Sequence, residues 1–226
     1  MEGDDALLQE QCTSVNTLLE AFDDWTLRLD VKVAYSVIYS CIFVVGLLGN
    51  GLLIENIVRR KRYYSVPNLF LLNLAISDVL LCITALPITP VLAFLKEWLF
   101  GELMCKLVPL CQATSVLISS YCLCFIALDR YRNIVTTTKE PWNLRSASIL
   151  MAFSWLASVL VSGPLFLSQQ LDGVNLNNIT ICGQFCGEYN WPNHHTKVGY
   201  GFVLLGVQFL IPVSLMCFCY WKILQK

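Results

Sequence analysis

The most regular feature of the chain is a series of five long apolar stretches separated by short polar segments. Each stretch exceeds the roughly 20 apolar residues that a helix needs to cross a bilayer. Their length favours helices over strands. The pattern predicts an all-α integral membrane protein, in which a polar tail over residues 1–32 precedes a helical bundle over 33–226. The predicted transmembrane helices cover 33–58, 68–95, 103–135, 146–169 and 198–223.

Composition supports a membrane protein and excludes several other classes. Hydrophobic residues make up 56% of the 226 residues and charged residues 14%, against about 45–50% and about 25% in soluble domains. The net charge of −1 provides no basic surface for nucleic acid. Most of the eleven cysteines lie in apolar stretches, where cysteine is usually a small buried hydrophobe. A disordered chain, a soluble disulfide-rich module and a nucleic-acid-binding protein are therefore excluded.

The distribution of basic residues predicts the orientation in the bilayer. Ten of the fifteen Lys and Arg residues lie in the last turns of the first, third and fifth stretches or in the segments that follow them, and such basic ends are usually cytoplasmic. The N-terminus and loops 96–102 and 170–197 are then extracellular, in a multi-pass protein of the plasma membrane. Residues 1–32 contain eight acidic residues and no basic segment typical of a cleaved signal peptide. We therefore expect the first helix to be an uncleaved anchor.

The predicted outer side is acidic and contains a glycosylation sequon and cysteines that can form a disulfide. It holds twelve acidic and five basic residues, which would attract cationic ligands; a solvated acidic tail is the alternative interpretation. Asn178 begins an N-glycosylation sequon in loop 170–197. Cys105, Cys182 and Cys186 lie in this oxidising compartment. One disulfide from Cys105 to the loop is expected, and its partner is either Cys182 or Cys186.

Three polar residues lie at a similar depth inside the predicted membrane. Asp78, Asn50 and Ser119 are each about 13–17 Å from the cytoplasmic surface at 1.5 Å per residue. Ionisable groups at this depth are costly and usually functional. A carboxylate, an amide and a hydroxyl can bind a small cation or form a structural hydrogen-bond cluster. Depth alone does not distinguish these two interpretations.

No residue pattern predicts an enzyme, a metal centre or a bound cofactor. The only two histidines, His194 and His195, are adjacent, which is not a zinc-binding spacing. The sequence has no P-loop, HExxH motif or nucleophile elbow. Prolines in the second, fourth and fifth stretches indicate kinks, which often line cavities. An outward-facing cavity is therefore expected.

Several short motifs occur in order along the predicted helices and the first outer loop. They are Gly49-Asn50, Leu74-Ala75-Ile76-Ser77-Asp78, Trp98-Leu99-Phe100-Gly101, Asp129-Arg130-Tyr131, Trp155, Pro212 and Tyr220. This set resembles the rhodopsin-like (class A) G-protein-coupled receptors. The resemblance implies that Arg130 is held by Asp129 at rest and contacts a heterotrimeric G protein when active.

The same resemblance assigns further roles to individual residues. It places an allosteric sodium ion at Asp78, Asn50 and Ser119. It also implies a disulfide between Cys105 and Cys186, which leaves Cys182 free or paired elsewhere. Tyr131 and Tyr220 correspond to activation and G-protein-coupling positions.

A narrower resemblance concerns the ligand. Gln112, where amine receptors carry an Asp, and Gln208 are similar to residues of neuropeptide Y and neuropeptide F type receptors. Segments 129–135 and 186–191 resemble the invertebrate members, and Pro87 fits peptide receptors generally. The implied ligand is an amidated neuropeptide ending in Arg-Phe or Arg-Tyr, bound through Gln112, Gln208 and Pro87. For the two glutamines, helix–helix hydrogen bonds are the alternative role.

The sequence departs from the family in its number of helices. The family has seven spans and this sequence has five, while Leu53 replaces a commoner valine. We expect a chain truncated after the fifth helix, which cannot signal alone because the sixth helix uncovers Arg130 in the family. The alternatives are a natural isoform that forms oligomers with full-length receptors, and a small-solute transporter or channel.

Overall fold

Five long helical segments make up most of the structure, a computed structural model that describes residues 12–15, 26, 28–136, 142–176 and 179–226. All five are long and apolar enough to cross a membrane, which confirms the predicted fold class. The helices are α1 (Leu29–Arg59), α2 (Val66–Thr84), α3 (Ile88–Leu95), α4 (Gly101–Ile134), α5 (Leu144–Ser168), α6 (His194–Leu205) and α7 (Ile211–Leu224), with a 3₁₀ turn at Arg62–Tyr64 and a π-helical segment at Gly206–Leu210.

Two helices begin before their apolar stretches because asparagine side chains cap them. Asn143 Oδ1 accepts a hydrogen bond from the Ser146 backbone N–H at 2.7 Å, and α5 begins one residue after this cap. Asn193 accepts from the Thr196 N–H at 2.7 Å in the same way before α6. Such caps satisfy N–H groups that lack partners within the helix. The apolar pattern therefore predicts the part of each helix that lies inside the bilayer, whereas the asparagine caps determine the residue at which each helix begins.

Prolines interrupt the second and fifth spans. The second span breaks between α2 and α3, where Pro87 directly precedes α3. In the fifth span, the Ile211 N–H bonds to the Gly206 carbonyl, which widens the helix into the π-helical segment. Pro212 follows directly; because a proline ring clashes with the carbonyl four residues earlier, a regular helix is disfavoured there. Pro164, in contrast, lies inside an unbroken α5.

The outer loop contains a β-hairpin that the sequence did not predict. Strands β1 (Gln169–Leu176) and β2 (Ile179–Glu188) pair antiparallel, with Gln169 opposite Glu188 and Leu171 opposite Cys186. A register irregularity lies between Asp172 and Val174. The hairpin contacts the outer part of α4. Asn178, the predicted glycosylation site, lies outside the described residues.

The third span, α4, is the centre of the bundle and packs against α2, α5 and α7. The Trp155 indole N–H donates to Asn73 Oδ1 at 3.0 Å, which links α5 to α2. Because α4 contacts these three helices, several of its polar residues are buried, namely Thr114, Ser115 and Asp129. A cluster of buried side chains joins α2, α4 and α5: Phe70, Ile118, Cys122, Ala147 and Met151.

Two buried hydroxyl groups of α5 give a stability prediction. Ser158 and Ser162 are fully buried, and their hydroxyls lack a hydrogen-bond partner within the described residues. Burying an unpaired hydroxyl costs about 1–3 kcal/mol. We therefore expect Ser158→Ala or Ser162→Ala to raise the melting temperature of the detergent-purified protein, by an amount equivalent to about 1 kcal/mol.

The matched control for these substitutions is Ser154→Ala. The Ser154 hydroxyl donates to the Leu150 carbonyl at 2.8 Å, so its removal should leave the melting temperature unchanged or slightly lower. A lower melting temperature for Ser158→Ala would contradict the prediction and indicate that the hydroxyl has a bonded partner.

Candidate ligand, ion and G-protein sites

An open cavity of about 430 Å³ lies beneath the hairpin on the predicted outer side. Gln112, one of the predicted ligand residues, lines this cavity together with Glu188 at the end of β2. The Glu188 carboxylate accepts a hydrogen bond from the Trp191 indole N–H at 3.1 Å and pairs with Lys197 Nζ at 3.2 Å. The cavity thus combines an amide with a carboxylate and its paired lysine, since Lys197 also lines it. This suits a polar ligand, and a cationic group that binds Glu188 has to displace Lys197.

Glu188 also lines a second outer cavity of about 360 Å³ between α5 and α6. Tyr200 lines this cavity; its hydroxyl donates to the Val161 carbonyl at 2.9 Å, and its ring lies 5.2 Å from that of Trp191. The carboxylate is therefore accessible from two cavities. Sequence reasoning missed Glu188, although a charged residue two positions after Cys186 was an available signal.

The structure does not bring the three predicted ligand residues together. Pro87 lines a different cavity of about 400 Å³, between the first and second spans. The short helix α3 faces α1 there, since the Phe94 ring lies 5.6 Å from that of Tyr35. Gln208 lies in the π-helical segment and lines none of these three cavities as far as the described residues define them. Gln112 is the only one of the three in the cavity beneath the hairpin.

In the middle of the bundle, two of the three predicted ion-site residues meet. The Ser119 hydroxyl donates to Asp78 Oδ1 at 2.8 Å and lies 2.8 Å from the Ser77 hydroxyl. Asn50 instead donates to the Gly46 carbonyl of its own helix at 2.9 Å. Within the described residues, no hydrogen bond joins Asn50 to Asp78. The observed cluster therefore contains Ser77 in addition to the predicted Asp78 and Ser119.

The chemistry of this cluster fits a small, hard cation. Ser115 lies four residues before Ser119, on the same face of α4. It is fully buried, and its hydroxyl has no hydrogen-bond partner in the part of the chain that the structure describes. Hard cations prefer oxygen ligands. The carboxylate of Asp78 and these hydroxyls supply only oxygens, so the residues are compatible with the sodium ion that the family resemblance implies.

Two disulfides fasten the outer surface. Cys105 is joined to Cys186, with a Cα–Cα distance of 5.6 Å. The sequence alone did not decide whether Cys182 or Cys186 pairs with Cys105, and in the structure the partner is Cys186. Cys182 pairs with Cys12 of the N-terminal tail, with a Cα–Cα distance of 5.1 Å. The second bridge was not predicted, because Cys12 was not among the cysteines considered.

At the opposite end of α4, Asp129 and Arg130 have different environments. Asp129 is 5% exposed and accepts a hydrogen bond from Asn133 Nδ2 at 3.2 Å, whereas Arg130 is exposed. No ion pair joins them among the described residues, unlike the resting arrangement that the resemblance implies. The Tyr131 ring lies 6.0 Å from Phe218 of α7. The Tyr220 side chain is 50% exposed on the same helix.

The helical bundle, the disulfide-fastened hairpin and the polar cluster within the bundle define a class, the multi-pass helical membrane proteins. Residues 49–226 match the family model described as 7 transmembrane receptor (rhodopsin family). The chain belongs to this family, which consists of receptors and not of enzymes.

Three curated relatives share about a third of their aligned residues with this chain. Neuropeptide receptor npr-1 of Caenorhabditis elegans is 34% identical over 96% of the chain and 47% of its own length. Neuropeptide F receptor of Drosophila melanogaster is 31% identical over 83% of the chain and 40% of its own length. Neuropeptide Y receptor type 2 of Gallus gallus is 30% identical over 90% of the chain and 53% of its own length. The chain spans about half the length of these relatives.

Proposed function

We propose that this chain belongs to a plasma-membrane receptor, with an extracellular N-terminus, that binds an amidated neuropeptide and activates a heterotrimeric G protein. The observation that carries the proposal is that Gln112 and Glu188 line the same outward cavity. The three curated relatives, each named as a neuropeptide receptor, support the ligand class. Because the chain spans about half their length, the proposal concerns the complete receptor.

The chemistry of the outer cavity suits a peptide that ends in an arginine and an amidated aromatic residue. A guanidinium can bind a carboxylate through two parallel hydrogen bonds, which assigns the ligand arginine to Glu188. The side-chain amide of Gln112 can both donate to and accept from the terminal amide. Gln112 lies about 10 Å below Cys105 along α4. Lys197, whose side chain is 46% exposed, must release Glu188, and exchanging a partly exposed ion pair costs little.

Glu188→Gln in the complete receptor tests this assignment. We expect about a tenfold loss of potency for an arginine-containing amidated peptide, equivalent to ~1.4 kcal/mol. The measurement is G-protein activation at matched surface expression, with the peptide and with an analogue in which citrulline replaces arginine. Because citrulline is uncharged, its potency should be equal in the wild type and the variant.

The matched control is Glu102→Gln, which removes another outer carboxylate paired with a lysine, Lys106. Glu102 does not line the outer cavity beneath the hairpin, so peptide potency should be unchanged. An equal loss of potency for both peptides in Glu188→Gln would contradict a charge pair with the ligand arginine.

The polar cluster is proposed to hold an allosteric sodium ion through Asp78, Ser119 and Ser115. The ion would supply a positive charge that neutralises the half-buried Asp78 carboxylate. Ser77 positions Ser119, since the two hydroxyls lie 2.8 Å apart. Asn50 remains a predicted ligand, and its present bond to Gly46 would have to be exchanged.

The cytoplasmic end is proposed to transmit ligand binding through a population shift between inactive and active bundles. Arg130 is exposed there and available to the G protein, while Asp129 is bonded by Asn133. Tyr131 contacts Phe218 of α7, and Tyr220 lies on the same helix. These contacts support a role for the packing between α4 and α7 in coupling.

A further inference from the structure

One edge of β2 is bound by two parts of the chain that are distant in sequence. The Thr13 N–H donates to the Thr180 carbonyl at 2.9 Å, and the Cys182 N–H donates to the Thr13 carbonyl at 3.0 Å. Further along the same strand, the Trp98 N–H donates to the Gln184 carbonyl at 2.7 Å. The opposite edge of β2 pairs with β1. The N-terminal tail and the first outer loop therefore cover an edge that would otherwise expose unpaired backbone groups.

A covalent bond reinforces the tail's contact. Cys12, directly before Thr13, is joined to Cys182, the residue whose backbone N–H donates to the Thr13 carbonyl. Four residues further along β2, Cys186 is joined to Cys105. At about 3.3 Å per residue, the two disulfides lie about 13 Å apart on one strand. β2 is thus anchored to the tail near one end and to α4 near the other.

The strand held in this way forms part of the wall of the outer cavity. Trp98, Cys186 and Glu188 all line that cavity. Gly183 has φ +116°, and a Cβ there would come within 2.8 Å of Glu97 Oε2, so the first outer loop packs closely against the strand. Movement of β2 would therefore move both Trp98 and Glu188 relative to Gln112.

We propose that Cys12 and Thr13 are a positioning element of the ligand site, which clamps β2 so that Trp98 and Glu188 keep their places in the cavity wall. This inference rests on the proposed function for its effect on the ligand, whereas the clamp itself is a property of the unliganded receptor. The tail then contributes to peptide binding through β2, without needing to touch the peptide.

Hydrogen–deuterium exchange of the unliganded complete receptor tests the clamp. We expect amides of residues 179–188 to exchange at least about tenfold faster in Cys12→Ser and Cys182→Ser. The double variant should show no further increase, because both changes remove one bond. Cys41→Ser removes a free, exposed thiol of α1 and should leave exchange unchanged. Unchanged exchange in Cys12→Ser would overturn the clamp.

Dissociation of a labelled amidated peptide tests the positioning role. We expect about tenfold faster dissociation from the two single cysteine variants, and unchanged dissociation from Cys41→Ser. Faster amide exchange with unchanged dissociation would overturn the positioning role. A wild-type receptor that binds no amidated peptide overturns the proposed function and the positioning role with it, while the exchange data still decide the clamp.

A second variant keeps the test decisive if the cysteine variants fail to fold. Thr13→Pro retains the disulfide but removes the N–H that Thr13 donates to Thr180. We expect faster amide exchange in residues 179–188 and faster peptide dissociation, both to a smaller extent than without the disulfide. Wild-type values for both measurements would overturn the proposal.

Discussion

Cys105→Ser in the complete receptor is expected to reduce peptide binding per cell by more than about tenfold, because it breaks the disulfide that joins α4 to the hairpin. Removing a native disulfide typically costs about 2–5 kcal/mol. Here the loss concerns the cavity directly, since Cys186 and its neighbours Gly187 and Glu188 line it. Saturation binding and antibody labelling of surface receptors measure the two components of the loss, affinity and expression.

Two comparisons make the Cys105 result specific. Cys186→Ser should reproduce the loss, and the double variant should be no worse, because all three lack the same bond. Cys217→Ser, which removes a free and exposed thiol of α7, should behave as the wild type. Normal affinity and normal surface expression for Cys105→Ser would contradict the expectation.

The second large effect is expected from Asp78→Asn, which should abolish the influence of sodium on agonist affinity. The amide retains an oxygen that can accept the hydrogen bond from Ser119, but it lacks the charge that neutralises a cation. We expect sodium to weaken agonist binding to the wild type roughly tenfold, within the usual range of allosteric coupling. Binding is measured in sodium chloride and in N-methyl-D-glucamine chloride at equal ionic strength, about 0.15 M.

Glu55→Gln is the matched control for Asp78→Asn. It also removes one carboxylate from a membrane-spanning helix, but Glu55 is 45% exposed and pairs with Arg59 at 2.8 Å. The sodium effect should therefore persist in this variant. Ser115→Ala, which leaves the bond between Ser119 and Asp78 intact, should weaken the effect. A full sodium effect in Asp78→Asn would rule out this carboxylate as the ion's ligand.

The polar cluster illustrates how far depth along a helix predicts contact. Asp78 and Ser119 were expected at one level, and they meet because α2 packs directly against α4. Asn50 was expected at the same level, yet its amide bonds to the carbonyl of Gly46 in its own helix. The rise per residue fixes depth, whereas the rotation of each helix decides which side chains meet.

On the outer surface too, the sequence predicted some contacts and the structure alone showed others. The motif resemblance supplied Cys186 as the partner of Cys105, but Cys12 gave no signal within the acidic tail. Pro87 and Gln112 were assigned to one binding site from their family positions. Helix α3 lies between two cavities: Ile88 and Thr89 line the cavity beneath the hairpin, whereas Pro87 lines the cavity against α1. Glu188 became a candidate only when the hairpin placed it beside Gln112.

The sequence by itself determined that this protein is a helical membrane protein and a member of a receptor family, because span length, apolar composition and motif order are local properties of the chain. Only the tertiary structure decided the pairing of Cys12 with Cys182, the place of Glu188 in the outer cavity and the hydrogen bond from Ser119 to Asp78. These depend on helix rotation and on the path of the outer loops, which bring together residues up to 170 positions apart.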